Sequence, residues 1–297
     1  MSEAVRSLMA EHVLPESYAE IVKAVHRPIA EQLTALRAKA GKPIVVGLCG
    51  SQASGKTTLA AFLKGLLQEG GLKAEVLAID DLYLSKEPRQ ALAADVHPLF
   101  ITRGPPGTHD VALGHQVLDV LTGKSPPNGV RMPHFDKAAD TLAPREIWRA
   151  LDGAVDVVLF EGWCVGGKPQ DEALLAEPIN DLERTRDPDG IWRRYVNDRL
   201  GGDYAELFAR IDCLLMLKAP DFDAVFEWRS LQEKKLGDKL KAQGALNDGR
   251  KIMTPDELRV FLAHYQRLTQ HILAEMPGRA DILVTLERDH KVSGLKL

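Results

Sequence analysis

Lys56 and Thr57 stand directly after Gly55 and follow Gly50 at the spacing G-x-x-x-x-G-K-[ST]. That spacing meets a chemical need. A triphosphate requires several donors at once, and a short loop wrapped around a helix N-terminus supplies backbone N–H groups together with the positive end of the dipole. Gly50, Ser51, Gln52, Ala53, Ser54 and Gly55 would form the cradle, with Thr58 closing it inside the helix. Lys56 would bring a point charge to the transferred phosphate, and the Thr57 hydroxyl would go to Mg²⁺. The glycines permit close backbone approach and positive φ.

Carboxylates close two apolar runs. Ala74-Glu75-Val76-Leu77-Ala78-Ile79 ends in Asp80-Asp81-Leu82-Tyr83, and Val155-Asp156-Val157-Val158-Leu159-Phe160 ends in Glu161-Gly162-Trp163. In open α/β sheets the ligand crevice lies outside the carboxyl ends of the strands. Asp80 and Asp81 are therefore expected one strand away from the phosphate loop, and Glu161 is expected to hold the metal or its waters. Arg103 and His109 flank the turn Gly104-Pro105-Pro106-Gly107, where they could hold an anionic group. Asp136 and Lys137 sit in a polar loop with two open readings, substrate contact or a surface pair.

The elements that must position these residues follow from periodicity. Ile44-Val45-Val46 reads as a buried strand entering the loop. Leu59, Phe62, Leu63, Leu66 and Leu67 read as the helix leaving it, stopped at Gly70-Gly71. Further strands are expected over 211–217 and 280–286, the latter as the last. The stretch 88–133 reads as loop-rich up to a helix through Leu113, Val117, Leu118 and Leu121, capped by Thr108 or Asp110. Mixed charge over 179–200 reads as solvated helix faces. A charged helix over 222–240 carries Arg229, and Thr254-Pro255-Asp256-Glu257 opens a final helix with a capping box. Residues 1–42 read as a helical extension with Pro28 as a restart and Gly41 as the stop. Its apolar stripe is expected to pack on the domain 43–297, or alternatively to make a homo-oligomer contact.

The chain has 297 residues, 27% of them charged, and a net charge of −4. This composition argues for one globular α/β protein and against general nucleic-acid affinity. No run is long enough for a membrane span and no signal peptide is apparent, which points to the cytoplasm. The three cysteines show no C-x-x-C spacing, so neither a disulfide framework nor a zinc site is indicated.

With these residues in hand, the chain resembles the P-loop kinases of the branch containing uridine kinase, pantothenate kinase and phosphoribulokinase. Within it the chain is most similar to the plant- and fungal-type D-glycerate 3-kinase family. The resemblance rests on residues 50–57, Asp80-Asp81-Leu82-Tyr83, 103–110, Phe135-Asp136-Lys137, Glu161-Gly162-Trp163, Trp228-Arg229 with Gln232-Glu233, and Met253-Thr254. It implies a three-layer, mostly parallel α/β fold with a helical lid, and transfer of the ATP γ-phosphate to a hydroxyl of glycerate. On that resemblance Asp80 orients or deprotonates the hydroxyl, Lys56 and Mg²⁺ neutralise the phosphates, Thr57 and Glu161 hold the metal, and Arg229 closes over the transferred group. Asp81, Tyr83, Arg103, His109, Asp136 and Lys137 are the acceptor-site candidates. Ala53 departs from the family's frequent third loop glycine, and Cys164 stands where an aromatic residue is expected. Other readings are a kinase of pantothenate or a nucleoside, and a nucleotide-dependent switch or ATPase.

Overall fold

The computed structural model describes residues 2–242 and 252–297. Its strands in chain order are β1 Ile44–Gly50, β2 Ala74–Ala78, β3 Arg131–Met132, β4 Phe135–Asp136, β5 Thr141–Leu142, β6 Arg149–Ala150, β7 Val157–Gly162, β8 Cys213–Lys218, β9 Ile282–Leu286 and β10 Val292–Lys296. Six of them form one sheet in the order β10-β9-β8-β1-β7-β2, parallel except for β10. β1 and β7 are buried along their whole length, as unbroken apolar runs in a sheet covered on both faces must be.

The sheet order puts chemistry at one edge. β7 runs between β1 and β2, so Asp80 lies two strands from the phosphate loop and not one, with the strand of Glu161 between them. Glu161 is level with Leu48 of β1 and Ala78 of β2. Each neighbouring strand ends within two residues of that line, which gathers three loop mouths at one place.

Helices cover both faces. On one face the helix Lys56–Glu69 packs with the N-terminal helices Glu3–Glu11 and Arg27–Ala40, and Val5, Met9, Val25, Ile29 and Leu33 share a core with Leu63 and Val46. The N-terminal apolar stripe is thus buried within the chain. Pro28 lies in the first turn of its helix, and Gly41 ends it at φ 65°. On the other face the helices Val111–Leu121, Asp203–Phe208 and Pro255–Glu275 cover Val45, Leu77 and Phe160. Asp110 is the cap of the first, and Thr254 with Glu257 forms the expected capping box on the last.

Three further expectations are corrected. The stretch 88–133 is not mainly loop: a helix spans Lys86–Asp95, with Pro88 in its first turn where its missing N–H costs nothing. The strand β9 is not the last, because Glu287 turns the chain into the antiparallel edge strand β10. The helices Asp181–Arg186 and Ile191–Gly201 are not simply solvated. Glu183, Asp187 and Arg193 are buried, in the pairs Arg193–Asp187 at 3.0 Å and Arg267–Glu183 at 2.6 Å.

Candidate active site

The phosphate loop leaves β1 and enters the helix Lys56–Glu69 with Gly55 at φ 90°. A Cβ on Gly50 would stand 2.7 Å from Ser54 Oγ, so the loop closes this tightly only over glycine. Ala53 takes φ 59°, the left-handed conformation that the related glycine would adopt without strain. Among the described residues Ser51 Oγ, Gln52 Oε1 and Ser54 Oγ are buried without a hydrogen-bond partner. Buried polar atoms are rarely left so, and in a cradle of this shape the two serine hydroxyls can donate to a polyanionic ligand.

Thr57 follows in the first turn and donates its hydroxyl hydrogen to Glu161 Oε1 at 2.9 Å. Glu161 is 4% exposed, and burial pushes its carboxyl up while Lys56 pulls it down. A buried carboxylate beside a hydroxyl at a phosphate loop fits Mg²⁺, an ion that takes one or two carboxylates and leaves its other positions to water and phosphate. Among the described residues no group of three or more His, Cys, Asp or Glu could hold a metal by themselves.

Asp80 is the second residue of the 3₁₀ turn Ile79–Leu82 after β2. Its Oδ1 accepts from the Tyr83 hydroxyl at 2.8 Å and its Oδ2 from Lys137 Nζ at 2.6 Å. Burial alone would raise its carboxyl pKa, but Lys137 and Lys56 outweigh that and hold it at about 2. Asp80 is a carboxylate at any working pH.

Asp81 points to a different task. Its Oδ1 accepts the Phe135 N–H at 3.0 Å, pinning the β4–β5 hairpin whose tip carries Lys137. Asp136 accepts the N–H groups of Ala138 and Ala139 and shapes the same tip. At the end of the turn Asp140, at φ 56°, accepts from Arg103 and from the buried Arg89. Arg103 also lies over the Phe135 ring, 5.5 Å from its centroid. Neither Arg89 nor Asp140 was marked by sequence pattern; a buried arginine and its distant carboxylate have no local signal.

His109 does not fit the cationic part expected of it. It is 4% exposed, stacked on Tyr83 at 4.6 Å, and bonded through Nδ1 to the Tyr204 hydroxyl at 2.5 Å. Burial lowers its pKa to about 3, so the ring is neutral and offers no charge to an acceptor carboxylate. Its neighbourhood is held by the two aromatic residues that close the turn after Arg103. Trp163 Nε1 donates to Gly104 O at 3.1 Å and the Tyr265 hydroxyl donates to Arg103 O at 2.9 Å.

Arg229 lies in the helix Phe222–Ala242 and donates to Glu233 at 2.6 Å. Glu233 is itself buried, and its other carboxylate oxygen accepts the Met253 N–H at 2.9 Å. Lys56 acts on Asp80 and Glu161 in turn. The structure therefore brings together Lys56, Thr57, Glu161, Asp80, Tyr83 and Lys137, with Arg103 beside them over the Phe135 ring that packs on Tyr83.

Comparison with known proteins decides the family. The chain is 31% identical over 234 residues to a protein described as uncharacterized kinase mug58 of Schizosaccharomyces pombe, covering 76% of this chain and 79% of that one. The chain belongs to this family of P-loop kinases. It is also 29% identical over 232 residues to the chloroplastic D-glycerate 3-kinase of Arabidopsis thaliana, a match covering 75% of this chain and 46% of that protein. A solved structure of D-glycerate 3-kinase from Cryptococcus neoformans superposes with a TM-score of 0.72 at 24% identity, covering 92% of this chain and 99% of that one, and so shares its fold. A family model described as methylmalonyl Co-A mutase-associated GTPase MeaB matches residues 16–84, the stretch around the phosphate loop. This P-loop kinase is a phosphotransferase, and no helix among its described residues is long and apolar enough to cross a membrane.

Proposed function

We propose that this kinase transfers the γ-phosphate of ATP to a hydroxyl of D-glycerate, giving 3-phosphoglycerate. The observation that carries the reading is Asp80, a carboxylate held ionised at the edge shared with Lys56 and Glu161, where an acceptor hydroxyl and a phosphate would meet. The relatives bearing the glycerate kinase name support the acceptor. In this reading Asp80 accepts the hydroxyl proton or orients the hydroxyl for attack. Lys56 stabilises charge on the phosphates, and the loop N–H groups hold the nucleotide in line. Thr57 and Glu161 would hold Mg²⁺, which would supply further neutralisation of the phosphate charge. Arg103 and Lys137 are the cations offered to the acceptor carboxylate, since His109 is neutral. Arg229 covers the transferred group. We further propose that residues 1–42 are an extension built onto the domain 43–297, and that the protein works in the cytoplasm.

The test is a panel of D-glycerate, pantothenate and uridine with ATP and Mg²⁺, products identified by mass spectrometry and by phosphorus NMR. Glycerate phosphorylated on carbon 3 is the expected product. Phosphorylation of pantothenate or uridine in its place would overturn the acceptor, and ATP hydrolysis unaffected by all three would favour a nucleotide switch.

A further inference from the structure

The turn between β9 and β10 reaches back to the phosphate loop. His290, at its tip and itself at φ 64°, places Nε2 at 3.0 Å from the Ala53 carbonyl oxygen. A carbonyl only accepts, so Nε2 carries the hydrogen. The ring is fixed from its other side by Trp228, stacked at 4.2 Å with planes 29° apart, and Trp228 Nε1 donates to Arg288 O at 2.7 Å. Three separate segments, the loop, the helix that carries Arg229 and the last hairpin, thus meet at one imidazole.

The residue that receives this hydrogen bond is the one that needs it. Ala53 is an L-residue in the left-handed region, in the middle of a loop whose N–H groups must converge on phosphate oxygens. Without a brace, relaxation of Ala53 toward negative φ would turn the neighbouring peptide planes away from a ligand.

We propose that His290 is a positioning residue of the phosphate loop, which through its Nε2–H on the Ala53 carbonyl holds the loop in its triphosphate-binding shape before nucleotide arrives. It touches neither the phosphates nor the acceptor. Its effect is on nucleotide affinity more than on the chemical step, because the loop binds ground state and transition state alike. The inference rests on the reading that the loop binds a nucleoside triphosphate, and it does not depend on the acceptor.

The test is calorimetric titration of the full chain with Mg·ATP and with Mg·GTP, the variants being compared on whichever nucleotide the parent binds. A parent that binds neither would overturn the nucleotide reading and this inference with it. His290→Ala is expected to weaken binding by about three- to tenfold, the range of one ordinary hydrogen bond, with the melting temperature of the nucleotide-free protein unchanged. His290→Gln, whose amide can donate to the same carbonyl, is expected to recover most of the loss. His290→Phe, which keeps a ring against Trp228 and has no donor, is expected to bind as weakly as His290→Ala. Parental affinity in His290→Ala would overturn the proposal. So would full recovery in His290→Phe, which would assign the effect to stacking.

Discussion

Lys137 Nζ lies 2.6 Å from Asp80 Oδ2, so the tip of a short hairpin supplies the charge that keeps a partly buried carboxylate ionised. The pair is more than a surface contact, since only 26% of the Asp80 side chain is exposed against 60% for Lys137. Asp80→Asn is expected to lower turnover on the order of a hundredfold or more while leaving nucleotide affinity nearly unchanged. Lys137→Ala removes the largest influence holding the Asp80 pKa at about 2, so burial then raises it. Because Asp80 is ionised throughout the working range of the parent, a fall in kcat/KM toward low pH that the parent lacks should enter at the acid end of the profile in that variant. A profile of parental shape would mean that Lys137 is not what keeps Asp80 ionised.

The Thr57–Glu161 contact carries the second prediction. Glu161→Gln keeps a hydrogen-bond acceptor for Thr57 but loses the charge, so the Mg²⁺ concentration for half-maximal activity should rise about tenfold or more. Because burial raises the Glu161 pKa, the neutral side chain should not lower the melting temperature. An unchanged Mg²⁺ requirement would place the metal elsewhere.

What could be read beforehand divides by locality. The phosphate loop, Asp80 and Glu161 stand at ends of apolar strands, so spacing and strand pattern were enough to find them. The capping box at Thr254 was equally local. The position of Asp80 two strands from the loop was not, because sheet order depends on which crossovers pack together. The roles of Asp81 and His109 depended on partners 54 and 95 residues away, Phe135 and Tyr204. Glu183 and Arg267 make the same point, since charged residues read as surface until the partner across the fold is known. The strand β10 is short, half polar and bulged between Val292 and Gly294, so alternation gave no signal.

Buried histidines predict acid sensitivity. Burial lowers His26 to about 4 and His109 to about 3, while an unfolded chain takes up these protons near pH 6.5. Between these values the unfolded state binds more protons, so stability is full above about pH 6.5 and is lost as pH falls toward the folded values. The melting temperature should therefore decline from pH 7 to pH 4.5. His26 lies against Phe62 and Tyr18, remote from the cleft, so His26→Phe is the clean variant. It should flatten that decline; a decline of the parental steepness would show that His26 is not a source of it.

Arg229 gives the last prediction, and Glu233 makes it specific. Glu233 is 5% exposed, with one oxygen on Arg229 at 2.6 Å and the other accepting the Met253 N–H at 2.9 Å. The pair fixes the guanidinium, so in the proposed role closure over the phosphates would require it to turn from Glu233 or to keep one hydrogen bond while the free edge reaches the phosphates. Either motion engages the transition state more than bound nucleotide. Arg229→Ala is expected to lower kcat by roughly ten- to a thousandfold with little change in nucleotide affinity. Arg229→Lys keeps charge without the planar fork and should recover only part of the loss. Since Arg229→Ala also strands a buried carboxylate, Glu233→Gln serves as the control: it relaxes the pair, keeps the arginine, and should cost less in kcat than Arg229→Ala. The measurements are kcat, the nucleotide dissociation constant and the melting temperature for all three variants. If Arg229→Ala and Arg229→Lys turn over like the parent, the arginine serves only to hold Glu233. The covering cation would then be sought at Lys234, because Arg193 is buried on Asp187 and Arg194 is engaged by Glu172.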